Sequence, residues 1–258
     1  MIRLNSSIKF YSSVGLLFVA VFTMTLSSFE KAPDKNGTLR IIFINTANGK
    51  PVILRDSLYV NAFGEQYSIS KLKYYISNVL IPGSGQLPEN DSYHLLNAAE
   101  ANNNFELSLK EGAYNAIQFL LGVDSLRNCT GAQTGGLDPT NDMFWTWNSG
   151  YVMFKLEGTS SSSAADLQRI EHHIGGYKGD NIVAKLIHLN FPATQLLQIK
   201  EGGTTQLTIE LNLDNYWKNA VEIKISETPL CMSTGILAKK MASNFPGLFS
   251  VKSIQSKP

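Results

Sequence analysis

Thr205 to Leu213 read "TQLTIELNL", in which Leu207, Ile209, Leu211 and Leu213 alternate with Gln206, Thr208, Glu210 and Asn212. Successive side chains of a strand point to opposite faces, so a period of two describes a strand with one dry face and one wet face. A helix would instead repeat its apolar residues three and four apart. A wet face argues for an antiparallel sheet, because strands of all-parallel sheets are apolar on both sides.

Outward from that stretch the chain reads mostly as strands. "TLRIIFI" (Thr38–Ile44), "LKYYISNVLI" (Leu72–Ile81) and "YNAIQFLLGV" (Tyr114–Val123) are rich in Ile, Val, Tyr and Phe, and the first two end at the turn sequences "NTANG" and "PGSG". "AVEIKIS" (Ala220–Ser226) follows Leu213 closely, as a hairpin partner would. The small-residue run "GTSSSSAADL" (Gly158–Leu167) reads as an exposed hairpin loop. Helical signals are few: a first turn at "SKLKYY" (Ser70–Tyr75), and "STGILAKKMASNF" (Ser233–Phe245). The latter has Ile236, Leu237, Met241 and Phe245 at helical spacing, Ser233 or Thr234 as N-cap, and Pro246-Gly247 as stop. The expected fold is all-β: an antiparallel β-sandwich with a short C-terminal helix, one domain over residues 36–258.

A chain of 258 residues with 43% apolar and 17% charged residues is an ordinary globular protein. Its formal net charge of +1 offers no basic excess for nucleic acid or an anionic membrane surface. The first residues differ. Arg3 and Lys9 precede the apolar run Val14–Leu26, and Ser27-Ser28 follow it. That order reads as a signal peptide over residues 1–28, the run being short of the roughly twenty residues of a comfortable span; a signal anchor is the alternative. The expected location is periplasmic or secreted, with no membrane association beyond export. The two cysteines, Cys129 and Cys231, are open to a disulfide or to two free thiols, and neither has the C-x-x-C spacing of a zinc or redox motif.

No nucleophile elbow, phosphate loop or His-Glu-x-x-His pattern occurs, so no enzymatic activity is expected. Of the four histidines, His94 and His188 sit in apolar strand contexts as packed rings. "EHHIGG" (Glu171–Gly176) differs: adjacent histidines on a strand face opposite ways, and the glycine pair permits a sharp bend or a close approach. His173 is the imidazole expected to face inward as a ligand. In "MFWTWNSGYVMFKLE" (Met143–Glu157), Met143, Trp145 and Trp147 fall two apart, so an extended backbone places a thioether and two indoles on one face. The stripe is either core or site. Thioether and imidazole donors suit copper better than hard cations.

"GAQTGGLDPTNDMFWTWNSGYVMFKLEG" followed by "IEHHIGGYKGDN" resembles the MbnP-like family, periplasmic copper-binding proteins associated with methanobactin operons. "LKYYISNVLI", "YNAIQFLLGVDS" and "AKKMASNFPGLFSV" match in the same order, so the resemblance covers roughly residues 38–252. It implies copper, held by histidines and a kynurenine made from tryptophan, and a di-haem peroxidase-like partner that makes it. On this sequence it implies His173 as ligand, with Met143 and His172 as further candidates and Trp145 or Trp147 as the modified residue. Better-studied relatives carry Trp-x-His where this chain has Trp145-Thr146-Trp147. The implied function is copper storage, delivery or scavenging. The alternatives are a cell-surface module that binds a protein or glycan without metal, and a chain that is only a substrate of the di-haem enzyme.

Overall fold

The computed structural model describes residues 35–87, 92–130, 133–146 and 149–257. The expected leader at residues 1–28 and Trp147 lie outside the described residues. Asp34–Pro258 form one compact unit. In chain order its principal strands are β1 (Asn36–Ala47), β2 (Gln66–Leu80), β3 (Tyr93–Asn97), β4 (Asn104–Lys110), β5 (Ala116–Leu121) and β6 (Phe144–Thr146). They continue with β7 (Gly150–Thr159), β8 (Arg169–Gly175), β9 (Lys185–Asn190), β10 (Thr204–Asn212) and β11 (Phe249–Lys257).

One sheet runs β11–β10–β1–β4 and the other runs β9–β5–β2–β7–β8, with β3 on the far edge of β2 and β6 beside β7. The two sheets pack face to face through aromatic rings. Phe43 of β1 meets Phe119 of β5 at 5.9 Å between centroids, and Tyr74 of β2 meets Phe249 of β11 at 6.1 Å. The Tyr74 hydroxyl donates to Asn45 across the interface at 2.9 Å. Phe154 stacks on Tyr216 (5.1 Å) and touches Phe245 (5.4 Å). Each fully buried side chain of this kind contributes on the order of 2 kcal/mol.

The alternation in Thr205–Leu213 is realised: Leu207, Ile209, Leu211 and Leu213 are fully buried. The sandwich is nearly all antiparallel, but β10 pairs with β1 in parallel, with Ile41 opposite Leu207 and Phe43 opposite Ile209. The long stretch of chain between these strands supplies the crossover that a parallel pair requires. The expected hairpin partner Ala220–Ser226 does not form. Both edges of β10 are already taken, by β1 and β11. The chain instead turns through a short helical segment, Asp214–Trp217, that buries Tyr216 and Trp217, and Ile223 N–H then bonds the Trp217 carbonyl at 2.8 Å.

Ser70–Tyr75 is strand, not helix: Leu72 and Tyr74 are buried while Lys71 and Lys73 take the other face. The C-terminal helix is present over Ile236–Ala242, but Gly235 occupies its N-cap in place of Ser233 or Thr234. Gly158–Leu167 does connect β7 to β8. Ser160 and Ser163 are nevertheless buried there, donating to the carbonyls of Gln66 and Arg169. Both thiols are free, Cys129 exposed and Cys231 buried, so no bridge closes.

Candidate functional site

Strand β8 carries both adjacent histidines, and its pleat sends them to opposite faces. His172, not His173, is the imidazole in the core. Its Nδ1 lies 2.9 Å from the Tyr216 hydroxyl and its Nε2 lies 2.8 Å from the Thr228 carbonyl oxygen. A carbonyl only accepts, so Nε2 carries the proton and Nδ1 accepts from Tyr216. With both nitrogens engaged, His172 offers no lone pair to a metal. Burial pushes its pKa down to about 4.

His173 projects from the other, outer face of the sheet. In register beside it are Lys155 of β7 and Lys73 of β2, with Glu157 and Lys71 one pair further on. His173 Nε2 lies 2.9 Å from Glu157 Oε1, and Lys71 reaches the second Glu157 oxygen at 3.2 Å. The His173 hydrogen bond, joined by Lys71 against the opposing effect of burial, holds the Glu157 carboxyl below its usual range. As the neutral ring, His173 donates Nε2–H to the carboxylate and keeps the Nδ1 lone pair. No hydrogen bond to Nδ1 occurs among the described residues. A carboxylate on one ring nitrogen and a free lone pair on the other is how metal-ligating histidines are held.

A strap formed by residues 133–146 lies over this outer face. The Tyr75 hydroxyl donates to the Gly136 carbonyl at 2.9 Å, and the Tyr151 hydroxyl to the Leu137 carbonyl at 2.6 Å. Lys73 donates to the Asn141 carbonyl at 2.8 Å. Lys155 is almost wholly buried; it donates to the Asp142 carbonyl and pairs with Asp142 Oδ1 at 3.1 Å. Burial pushes the Lys155 amine down despite this partner. For Asp142, burial opposes ionisation, but Lys71 and Lys155 together outweigh it and bring the pKa to about 2. Asp142 takes the left-handed backbone (φ 62°) that turns the strap into β6.

Beyond that turn, Met143 is fully buried, its carbonyl accepting from Val152 N–H at 2.8 Å. Trp145 lies on β8: a Cβ on Gly175 would stand 2.7 Å from Trp145 Cζ3 and 2.9 Å from the Tyr151 carbonyl. Gly175 is therefore glycine so that an indole can sit on the strand. Residues two apart on a strand share a face at roughly 7 Å spacing, so the Trp145 ring and the His173 imidazole occupy the same face, one step apart. Gly176 (φ 145°) then bends the chain with its Cα against the Asn181 carbonyl.

The structure thus sets Trp145 against Gly175, two residues along β8 from His173, and sends His172 into the core. The other two histidines are occupied: His94 stacks on Phe105 at 3.6 Å, and His188 bonds Gln118 and Asn190. Glu157, Lys155 and Asp142 complete the outer face, and sequence reading did not nominate them. Their signal was present, since Lys155 and Glu157 alternate with Phe154 and Leu156 in an otherwise apolar strand.

No group of three or more His, Cys, Asp or Glu residues suited to a metal occurs among the described residues. The donors shown on this face are the His173 imidazole and the Glu157 carboxylate; Met143, in the strap, is fully buried. Imidazole and thioether are donors of the kind that suit copper. No helix among the described residues is long and apolar enough to cross a membrane.

No curated protein matches the chain. Among solved structures, MbnP from Methylosinus trichosporium is similar with a TM-score of 0.50 at 14% identity, over 73% of this chain and 83% of that one. At that identity the likeness is one of fold. The family model described as MbnP matches residues 36–233, most of the sandwich. The chain belongs to the MbnP family.

Proposed function

We propose that this protein is exported to the periplasm or beyond and binds copper without turnover, for storage, delivery or scavenging. Membership of the MbnP family suggests a methanobactin-associated protein. The observation that supports copper is local: the Trp145 indole lies against Gly175 of β8, two residues from an imidazole whose Nε2 is fixed by Glu157. His173 Nδ1 and the Met143 sulfur are the ligands the unmodified chain offers.

In this reading a further nitrogen ligand comes from Trp145 after oxidation by a di-haem peroxidase-like partner. Two oxygen atoms add across the indole C2–C3 double bond and cleave it; hydrolysis of the resulting formamide releases formate and leaves an aryl amine. Two equivalents of hydrogen peroxide consumed at the partner supply the two oxygen atoms, each leaving one molecule of water. The net mass change is about +4 Da, a covalent alteration that mass spectrometry reads directly.

Peptide mapping and metal analysis of the native protein, taken from cells that also make the partner, test this on one sample. The expected result is a heavier peptide containing Trp145, together with bound copper. Modified peptide without copper would leave the chain as a substrate only. Unmodified peptide without copper would favour a metal-free binding module.

A further inference from the structure

The edge of β8 away from β7 is covered by a short parallel strand, Leu230–Cys231, with Leu230 opposite Glu171 and Cys231 opposite His172. Adjacent strands lie about 4.8 Å apart, and residues in register on them share a face of the sheet. Exposure along the segment follows the pleat. Leu230 is half-buried, Cys231 beside the core imidazole is only 4% exposed, and Met232 is 47% exposed. The Met232 side chain therefore leaves the core face and joins the outer one. The register, continued by one residue, sets it alongside His173.

The two flanks of His173 then differ in kind. On the β7 side it meets Lys155 in register and Glu157 by hydrogen bond, and both are already committed, Lys155 to Asp142 and Glu157 also to Lys71. On the other side its neighbour is a thioether, which has no charge to pair and no proton to lose. Packing makes little use of that side chain, since about half of it faces water. Met143 in the strap is fully buried, so its sulfur is closed to solvent, whereas the Met232 sulfur is on a side chain that water reaches. Thioethers are soft donors that select Cu(I) over hard cations.

We propose, resting on the copper binding proposed above, that Met232 is a thioether ligand of the outer-face site and that the site takes copper as Cu(I). His173 supplies nitrogen through Nδ1, the ring being held by Glu157 at Nε2. Met232 supplies sulfur from the facing edge of β8. The donor pair straddles two adjacent strands, so the ion closes the edge that Leu230–Cys231 leaves after two residues.

The test uses the full chain, made in cells that also make the di-haem partner and fed methionine carrying carbon-13 in its methyl group. The protein is stripped of metal and titrated with Cu(I) without oxygen, while methyl and imidazole resonances are followed. Met232→Leu identifies the Met232 methyl signal and nearly conserves volume at an exposed position. The Met232 methyl is expected to move in step with the His173 ring. Met232→Leu is expected to weaken Cu(I) binding by at least about 10-fold, no less than the loss of an outer-shell support costs, with an unchanged thermal midpoint. A His173 ring that responds while the Met232 methyl stays still, or an unchanged affinity in Met232→Leu, overturns the ligand assignment and leaves copper binding standing. A protein in which neither signal responds to Cu(I) overturns the copper reading itself, and the assignment with it.

Discussion

His172 and His173 are neighbours in sequence but serve opposite faces of β8, the first bonded to Tyr216 in the core and the second to Glu157 on the outer face, each at 2.9 Å. The pleat of one strand thus separates two kinds of chemistry.

His172 couples stability to pH. Its folded pKa of about 4 lies below the ordinary 6.5, so between those values the unfolded chain binds the extra proton. Its contribution is complete above about pH 6.5 and is lost as pH falls toward 4, amounting to roughly 3 kcal/mol. Urea midpoints measured across that range are expected to fall with acidification, and the slope to flatten in His172→Gln. An equally steep slope in the variant would contradict the assignment.

Glu157 holds the His173 ring in place. Glu157→Gln keeps the shape but replaces the carboxylate with a weaker acceptor, and loss of such a support costs about 10- to 100-fold in metal affinity. Competition for Cu(I) against a chromophoric chelator reads this, with the thermal midpoint as the control for folding. Unchanged affinity would remove Glu157 from the site.

Gly175 gives the indole its place. Gly175→Ala puts a methyl group within 2.7 Å of Trp145 Cζ3 and 2.9 Å of a carbonyl. The expected cost is about 1–3 kcal/mol, with a shift in Trp145 emission measured in a background that carries both Trp147→Phe and Trp217→Phe. Unchanged emission would place the indole elsewhere.

Asp142 anchors the strap to Lys155. Asp142→Ala leaves a buried ammonium with a carbonyl partner but no carboxylate. Asp142 is more than half exposed, so water screens the loss; the expected destabilisation is about 1–2 kcal/mol, below that of a fully buried pair. Lys155→Met in the same background is expected to recover most of it, because the orphaned charge is then gone. Chemical denaturation of the two variants decides.

The sandwich was legible where local pattern decides burial. Thr205–Leu213 shows the period of two in its side chains, and the helix expected near the C-terminus is present over Ile236–Ala242, although Ile236, read as part of its apolar stripe, is exposed and Phe245 falls in the turn after it. Pairing was not legible. Nothing in Ala220–Ser226 reveals that both edges of β10 are already occupied, or that Tyr216 and Trp217 are drawn into the core just before it. Helix was misread at Ser70–Tyr75 because two lysines two apart look like a solvated turn until a strap is found to cover them. At the site, "EHHIGG" correctly announced opposite faces and a close backbone approach. Which histidine faced the core was hidden, since that depends on the phase of β8 against β7, and the β7 register shifts between Val152 and Phe154.

X-ray absorption at the copper edge, on native copper-loaded protein beside His173→Ala, bears most directly on the outer-face site. Imidazole scattering in the native spectrum that disappears in the variant is the predicted result. Identical spectra from the two proteins, or a native protein that takes up no copper, would contradict it.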